Sequence, residues 1–398
     1  MTWGVEMRDT FLALSPPFLG EEEINEVTDT LRVGWITTGP KVRRFEDEFA
    51  HFVGAPSALA LNSCTAALHV GLAALGIGHG DAVITTPMTF CSTVHVIEQV
   101  GARPILVDVE PDTLNIDPNK IENVIKSLIR DSESRIRALL PVHLYGHPCD
   151  MDSIADIAKR YGLRVIEDAA HALPAKYRGR FVGTIGDLTA FSFYSTKNLT
   201  TGEGGMLTGS PELLEEARIW SLHGMSRDAW KRYSAEGSWY YEVIRPGFKY
   251  NMSDIPAAIG IAQLRKLMQF WGRRREIVEC YNKAFSEYEE LQIPANRAGV
   301  EHAWHLYVVR LNPSLLTISR NQFIEELRIR NIGASVHFIP IHLHPYYRDK
   351  YNYKPNDFPV AFDQYQCIFS LPLHPAMSDP DIEDVIEAVT EVIRTHRR

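Results

Sequence analysis

The sequence predicts an α/β protein, with a large domain built on a mostly parallel, doubly wound sheet and a smaller C-terminal α+β domain. Short apolar runs alternate with helical patterns between residues 60 and 210, and this rhythm changes after residue 250. Alternating strands and helices are typical of parallel sheets whose strands are covered on both faces. We therefore expect a large domain over 1–265 and a small domain over 266–398, with residues 1–30 packing against the small domain.

Five runs rich in Val, Ile, Leu and Phe carry the strand prediction, because they show little polar alternation. These runs are 81–87, 103–110, 137–146, 163–170 and 188–195. Helices are predicted between them. Asp117 and Pro118 are a typical N-cap and first helical residue, and the pattern over 151–162 ends at a glycine.

The C-terminal part mixes helices and strands. Helical patterns cover 253–291, and a strand is predicted at 302–311. A Ser-x-x-Gln capping box opens a helix over 319–333, which precedes a second predicted strand at 334–342. A final helix is predicted to begin at Asp379. This mixture indicates the smaller α+β domain.

The bulk composition is that of an ordinary globular protein. The chain has 398 residues, of which 45% are hydrophobic and 23% charged, and its formal net charge is -9. Well-mixed charges argue against a nucleic-acid-binding protein, which needs a basic stripe. No uninterrupted apolar run is long enough for a membrane span, and the first residues do not resemble a signal peptide. Five scattered cysteines without CxxC pairs indicate reduced thiols, so we expect a cytoplasmic protein.

Three local features could carry chemistry. Asp168 ends a buried strand, at the edge where open α/β sheets bind ligands, although Asp is also a common helix cap. Asn62 or Ser63 caps a helix that begins near Thr65, and such a helix start either binds an anion or is simply capped. Lys197 follows another buried strand and precedes a glycine-rich turn, an unusual place for a costly charge.

The histidines raise a metal alternative. His337, His342 and His344 lie close together in the sequence, and His143 and His147 flank a short turn. However, no HExxH motif occurs, and the carboxylates usual in catalytic zinc sites are not adjacent. We expect loop or substrate-contact histidines and no metal.

Pyridoxal phosphate requires the three features that converge here. Its phosphate favours a helix N-terminus, its ring nitrogen a carboxylate such as Asp168, and its aldehyde a lysine such as Lys197. Desolvation at such a site would lower the pKa of the lysine and make its amine more nucleophilic. The combination is more specific than any single feature, and it predicts a pyridoxal phosphate site.

Several motifs resemble one known family over residues 12–395. The chain is similar to the sugar-nucleotide aminotransferases of the DegT/DnrJ/EryC1/StrS family, which have the aspartate aminotransferase type I fold. Within the family, its motifs most resemble those of the enzymes that aminate a 4-keto sugar on UDP for lipid A or surface glycans. The motifs are "NSCTAALHVGLAALGIGHG", "EDAAHA", "SFYSTKNLTTGEGG", "GFKYNMSDIPAAIGIAQL" and "HAWHLYVVR".

The resemblance implies roles for the cofactor-binding residues. Lys197 would be the Schiff-base lysine and proton shuttle, Asp168 would pair with the ring nitrogen, and His171 would lie near the 3-hydroxyl. The phosphate would be held by three residues. These are Thr65, Ala66 and Ser192.

The resemblance also implies contacts with substrate and with a second subunit. Phe90 would stack on the cofactor ring, and His337 would lie near the substrate. Asn251 would reach the phosphate of the other subunit in a homodimer with shared active sites, although many antibiotic-sugar relatives carry arginine there. From its own Trp, Tyr and Arg residues, and not from the resemblance, we expect the segment 222–246 to contact either a nucleotide diphosphate or the dimer partner.

The resemblance thus implies transfer of an amino group, from glutamate as donor, to a keto carbon of a nucleotide-linked sugar, with C4 as the expected position. Two alternatives remain. A pyridoxal-phosphate-dependent sugar dehydratase shares the scaffold, but in the family it carries histidine at the lysine position. A non-catalytic regulatory protein that binds the cofactor would not need the full set Asp168, Ser192 and Lys197.

Overall fold

The computed structural model describes residues 8–131, 135–226 and 240–398. In the N-terminal two thirds, the helices are α1 (Glu21–Val33), α2 (Pro40–Val53), α3 (Cys64–Ala74), α4 (Ser92–Gln99), α5 (Pro118–Asp131), α6 (Met151–Tyr161) and α7 (Pro211–Ser221). The remaining helices are α8 (Asp254–Phe285), α9 (Arg320–Ile329), α10 (Pro345–Tyr351), α11 (Pro359–Cys367) and α12 (Asp379–His396).

The strands form one large and two small sheets. Strands of the large sheet are β1 (Ser57–Leu61), β2 (Asp81–Thr85), β3 (Arg103–Leu106), β4 (Arg135–Leu139), β5 (Arg164–Asp168), β8 (Leu188–Ser192) and β9 (Gly205–Gly209). The short strands β6 (Lys176–Tyr177), β7 (Arg180–Phe181) and β11 (Val300–Glu301) form a second sheet, and β10 (Leu291–Gln292), β12 (Tyr307–Leu311) and β13 (Ile368–Leu371) form the third.

The large sheet is mostly parallel, as the sequence predicts. Its order is β1-β9-β8-β5-β4-β2-β3, and within the described part of the chain β9 alone runs against its neighbours. All five predicted strands are present in shortened form. Strands β1 and β9 were not predicted. Strand β9 begins and ends in glycine, so its sequence resembles a continuation of the turn that follows Lys197. The sheet order brings the carboxyl ends of β5 and β8 side by side.

One predicted strand is wrong. Over 334–342, Ser335 alone pairs with a strand, through a bridge to Ser370, and residues 341–343 form a 3₁₀ turn. Pro340 has no amide hydrogen to donate to a ladder, so the segment leaves the sheet and crosses towards the large domain. There, Ile341 N donates to Pro87 O. The predicted strand at 302–311 is shorter than expected and begins at Tyr307, because Trp304 has a φ of 50°, which is incompatible with an extended strand.

Helix α8 joins two apolar cores. Near its start, Ile261, Leu264 and Leu267 pack in the core that contains Phe45 and Phe191. Further along, Ile277, Tyr281 and Phe285 pack with β12, β13 and α12. The predicted domain boundary at residue 265 therefore lies within a continuous helix, and the division itself stays a prediction.

The N-terminal segment contacts the C-terminal part of the chain. Leu12 belongs to the core of α12 and β13 and forms a bridge with Ile332. Arg8 makes ion pairs with Asp381 and Asp384. No helix among the described residues is long and apolar enough to cross a membrane.

The start of α3 rests directly on β9. Ser63 is the N-cap, and its Oγ accepts a hydrogen bond of 3.1 Å from Ala66 N. Gly205, the first residue of β9, lies so close that a Cβ there would stand 2.5 Å from both Cys64 N and the carbonyl carbon of Ser63. Backbone atoms cannot move aside as a flexible side chain can, so glycine is required at this approach.

We expect Gly205→Ala to destabilise the protein by about 2 kcal/mol, the size of a core overpacking effect. Gly272→Ala is the matched control, because nothing lies within 4 Å of a Cβ at that position in α8. Alanine is there the better helix former by up to ~1 kcal/mol. Thermal unfolding should show a lower midpoint for Gly205→Ala and an equal or higher one for Gly272→Ala. Equal midpoints for the two variants would contradict the close approach.

Candidate active site

A cavity of about 430 Å³ opens at the carboxyl ends of the parallel strands. Residues at the ends of β5 and β8 and the start of α3 form its floor, and two stretches of the C-terminal part close it from the other side. The predicted site residues that line it are Thr65, Phe90, Asp168, His171, Ser192, Lys197 and His337. The fold thus brings together seven of the nine residues that the sequence singles out.

Asp168 supplies a buried carboxylate at the end of β5. It is 4% exposed, and its Oδ2 accepts a hydrogen bond of 2.7 Å from Thr93 Oγ1. Its Oδ1 accepts from Ala170 N at 3.1 Å. Burial raises the pKa of Asp168, while the two hydrogen bonds and the nearby Lys197 oppose the rise. A cationic N–H presented from the cavity would therefore stabilise the ionised form.

Lys197 reaches the same cavity from the loop after β8. Its backbone N donates to Tyr194 O, and its Nζ lies 3.4 Å from His305 Nε2. Burial lowers the pKa of Lys197 to about 8, although Cys64 and Asp168 act in the opposite direction. Part of the side chain still faces the open cavity. With a pKa of about 8, roughly a tenth of the amine is unprotonated at pH 7, and this amine is accessible from the cavity.

The start of α3 fits a phosphate group. The amides of Cys64 and Thr65 precede the first intrahelical hydrogen bond, which Ala67 N donates to Ser63 O, so helix geometry leaves them without helical acceptors. Ser192 also lines the cavity here. Ala66 does not line the cavity: it is buried, and its amide donates to the Ser63 cap.

The aromatic and histidine side chains line the opposite wall. Phe338 lies between Phe90, at a ring distance of 5.9 Å, and His171, at 5.7 Å. Phe90 is 58% exposed at the mouth. His171 Nδ1 accepts from Tyr145 N, so the proton of the neutral ring is on Nε2. His337 Nδ1 lies 2.8 Å from Ser370 Oγ, and burial lowers the pKa of His337 to about 4.

Asn251 lies outside the cavity of its own chain. Its side-chain nitrogen donates to Thr38 Oγ1 at 2.6 Å, and its oxygen accepts from Lys249 Nζ at 2.7 Å. Its backbone bridges Leu61, next to the start of α3. Its predicted contact with a second subunit stays a prediction.

Among the described residues, no three His, Cys, Asp or Glu side chains are arranged to hold a metal ion together. His342 packs against Phe358, and His344 Nε2 lies 3.2 Å from Ile339 O. His143 Nε2 lies 2.8 Å from Glu167 Oε2, and its Nδ1 accepts from Cys149 N. These histidines have separate structural partners.

Sequence reasoning missed two polar residues of the site. Thr93 donates a hydrogen bond to Asp168, and it lies 75 residues away in α4, just after Phe90. His305 contacts Lys197 from a distance of 108 residues. The motif "HAWHLYVVR" did contain His305, but a motif in one sequence does not show which of its residues faces the site.

The fold and the cavity define the class of protein. A mostly parallel sheet, a lysine of lowered pKa, a buried carboxylate and an open helix start form the site of a pyridoxal-phosphate-dependent transferase of fold type I. The chain belongs to the DegT/DnrJ/EryC1/StrS aminotransferase family, whose model matches residues 17–390.

Comparison with known proteins agrees over the whole length. The chain is 53% identical over 392 residues to MJ1066 of Methanocaldococcus jannaschii, covering 98% of this chain and 100% of that protein. It is 51% identical to the spore coat polysaccharide biosynthesis protein SpsC of Bacillus subtilis, with 98% and 99% covered.

Among solved structures, Spr1654 of Streptococcus pneumoniae, named as a sugar aminotransferase, superposes with a TM-score of 0.89 at 34% identity, covering 96% of this chain and 99% of that one. It has been solved in its pyridoxal phosphate and pyridoxamine phosphate forms. The predicted fold class, family and pyridoxal phosphate cofactor are therefore confirmed.

We expect Thr93→Val to lower turnover about tenfold. Removing a hydrogen-bond donor from a buried carboxylate destabilises its ionised form by ~1–3 kcal/mol, and the ionised form is the one that pairs with the ring nitrogen. Affinity for pyridoxal phosphate should fall as well. Thr208→Val is the matched control, since Thr208 is equally buried and donates to Gly183 O, away from the cavity. Cofactor titration and steady-state kinetics measure both variants. Turnover that falls equally in Thr208→Val would assign the loss to general destabilisation.

Proposed function

We propose that this aminotransferase moves an amino group from L-glutamate to a keto carbon, C4, of a nucleotide-linked sugar. The observation that carries the proposal is the meeting of Lys197, Asp168 and the start of α3 in one cavity. The names of SpsC and Spr1654 support a sugar substrate and a place in surface polysaccharide formation.

The roles of the residues follow from their chemistry. When bound, the cofactor withdraws electrons from the carbon that carries the transferred amino group. Asp168, ionised and held by Thr93, keeps the ring nitrogen protonated. Lys197 provides a free amine that takes a proton from one carbon and returns it to another, a task for a base whose pKa is near the working pH. His171 and Phe90 would limit the space that the cofactor ring occupies.

The charges of the cavity support a shared site. Lys197 is the one Lys or Arg among the described residues that line it, whereas Asp168 and Glu203 contribute carboxylates. Glutamate carries two carboxylates and a nucleotide diphosphate carries several negative charges, and such groups bind best to arginine and lysine. We infer that further cations come from outside this set. Residues 227–239 of the predicted substrate segment lie outside the described residues.

A second subunit is the natural source. We propose a homodimer in which Asn251, beside Lys249, reaches the phosphate site of the partner, as closed two-fold dimers make such sharing reciprocal. We also propose a cytoplasmic location, since all five cysteines are free thiols in the structure.

A panel of 3-keto and 4-keto nucleotide sugars, assayed with glutamate, tests the function. We expect the enzyme to aminate a 4-keto sugar, with 2-oxoglutarate as the second product. Lys197→Ala should still bind pyridoxal phosphate but show no measurable turnover. Amination of 3-keto sugars alone would make the C4 assignment wrong. Turnover in Lys197→Ala would remove Lys197 from its role.

Mixed dimers test the shared site. Asn251→Asp should be inactive, because a carboxylate repels the phosphate even when Lys249 partly neutralises it. Co-refolded with Lys197→Ala, it should return roughly a quarter of the wild-type activity, since half the dimers are hybrids with one intact site. An active Asn251→Asp enzyme would contradict the phosphate contact. If subunits exchange but no activity returns, Asn251 serves its own chain.

A further inference from the structure

His305 is the polar neighbour of the Lys197 amine. Its Nε2 lies 3.4 Å from Lys197 Nζ, at the long end of hydrogen-bonding distance. The ring is 3% exposed and lies against His171, with a centroid distance of 4.5 Å. Its Nδ1 has no hydrogen-bond partner within the described part of the chain.

The buried Nδ1 decides which tautomer the ring adopts. If Nδ1 carried the proton, a buried N–H donor would lack an acceptor, and such orphaned donors are rarer than unpaired acceptors. The proton therefore belongs on Nε2, which faces Lys197. A neutral lysine amine can accept that proton through its lone pair, whereas an ammonium group has only donors.

The groups that face His305 keep its ring neutral. They are Lys197 from the loop after β8, His171 from the loop after β5, His337, and Arg274 from α8. Burial and these four basic groups hold the pKa of His305 well below its ordinary value. Arg274 also fixes the backbone, because its Nη1 donates to the carbonyl oxygens of His305 and Leu373.

We propose that His305 is a positioning residue that donates its Nε2–H to the lone pair of the neutral Lys197 amine, which stabilises the unprotonated form and aims it into the cavity. The inference rests on the proposed role of Lys197 and deepens it. The unprotonated fraction of Lys197 then depends on its hydrogen bond with His305 as well as on burial. Protonation of Lys197 would force the His305 proton to the orphaned Nδ1, so the ammonium state is disfavoured.

The experiment measures the protonation of Lys197 in the cofactor-free full-length enzyme. Limiting acetic anhydride labels free amines, and mass spectrometry of the Lys197 peptide gives the labelled fraction as a function of pH. Protection by added pyridoxal phosphate identifies cavity labelling. The variant is His305→Phe, which keeps a buried ring without the donor. The matched control is His374→Phe, since His374 is a buried histidine that does not line the cavity.

We expect the pKa of Lys197 to rise by about one pH unit in His305→Phe, as one hydrogen bond to one protonation state requires, and to stay unchanged in His374→Phe. At a pH below both pKa values, the free amine should fall about tenfold. An unchanged pKa in folded His305→Phe would overturn the proposal, because a packing role alone does not move it. A lower pKa would also overturn it, since His305 would then stabilise the ammonium.

A second variant guards against failure to fold. If circular dichroism shows that His305→Phe is unfolded, His305→Leu is measured in the same way, with the same two outcomes. The labelling needs no sugar substrate, so its failure leaves the proposed function standing. Conversely, a wild-type enzyme that aminates no keto sugar would remove the proposed function while the pKa shift remains measurable.

Discussion

The site depends on the burial of two opposite charges at one edge of a sheet. Taking a carboxylate or an amine out of water disfavours its charged form, so burial raises the pKa of Asp168 and lowers that of Lys197. Each group partly offsets the effect on the other. Burial remains the largest effect on both groups, although hydrogen bonds from Thr93 and Ala170 support the carboxylate, and the neutral ring of His305 lies beside Lys197 Nζ. This imbalance leaves a carboxylate ready for a cation and an amine ready for a carbonyl carbon.

The rest of the fold maintains that arrangement. The strand order sets β5 beside β8, so Asp168 and the loop that carries Lys197 end at the same edge. Gly205 lets β9 approach the start of α3, which brings the open amides of that helix to the same cavity. Helix α8 belongs to both cores, and Arg274 on this helix anchors the segment of His305 through backbone carbonyls. Helix α8 thus fixes the His305 segment relative to Lys197 in the loop after β8.

How much of this could be predicted from the sequence depends on how local each interaction is. The end of β5 at Asp168 and the Ser63 cap follow from apolar runs and capping residues, which act over a few residues. The strand predicted at 334–342 failed because Pro340 outweighs the apolar pattern around it. Thr93 and His305 could not be assigned, since their partners lie 75 and 108 residues away and only the folded chain shows which groups face each other. For Asn251, the resemblance implies a role, while among the described residues its side chain contacts Thr38 and Lys249 of its own chain.

The histidines of the cavity illustrate why composition alone misleads. The histidine-rich stretch 337–344 raises a metal alternative, yet the histidines that line the cavity, His171, His305 and His337, meet around a lysine, and burial lowers the pKa of each. Neutral imidazoles give a cavity polar walls without adding positive charge that would compete with the amine for a carboxylate. A lysine or arginine at position 305 would repel the ammonium form of Lys197 and so favour the free amine. However, its own charge would pair with Asp168 and with anionic substrates, away from Lys197. An acidic residue there would stabilise the ammonium and remove the base. A neutral, buried donor avoids both effects, and histidine supplies one with a ring rigid enough to keep its Nε2–H directed at the amine.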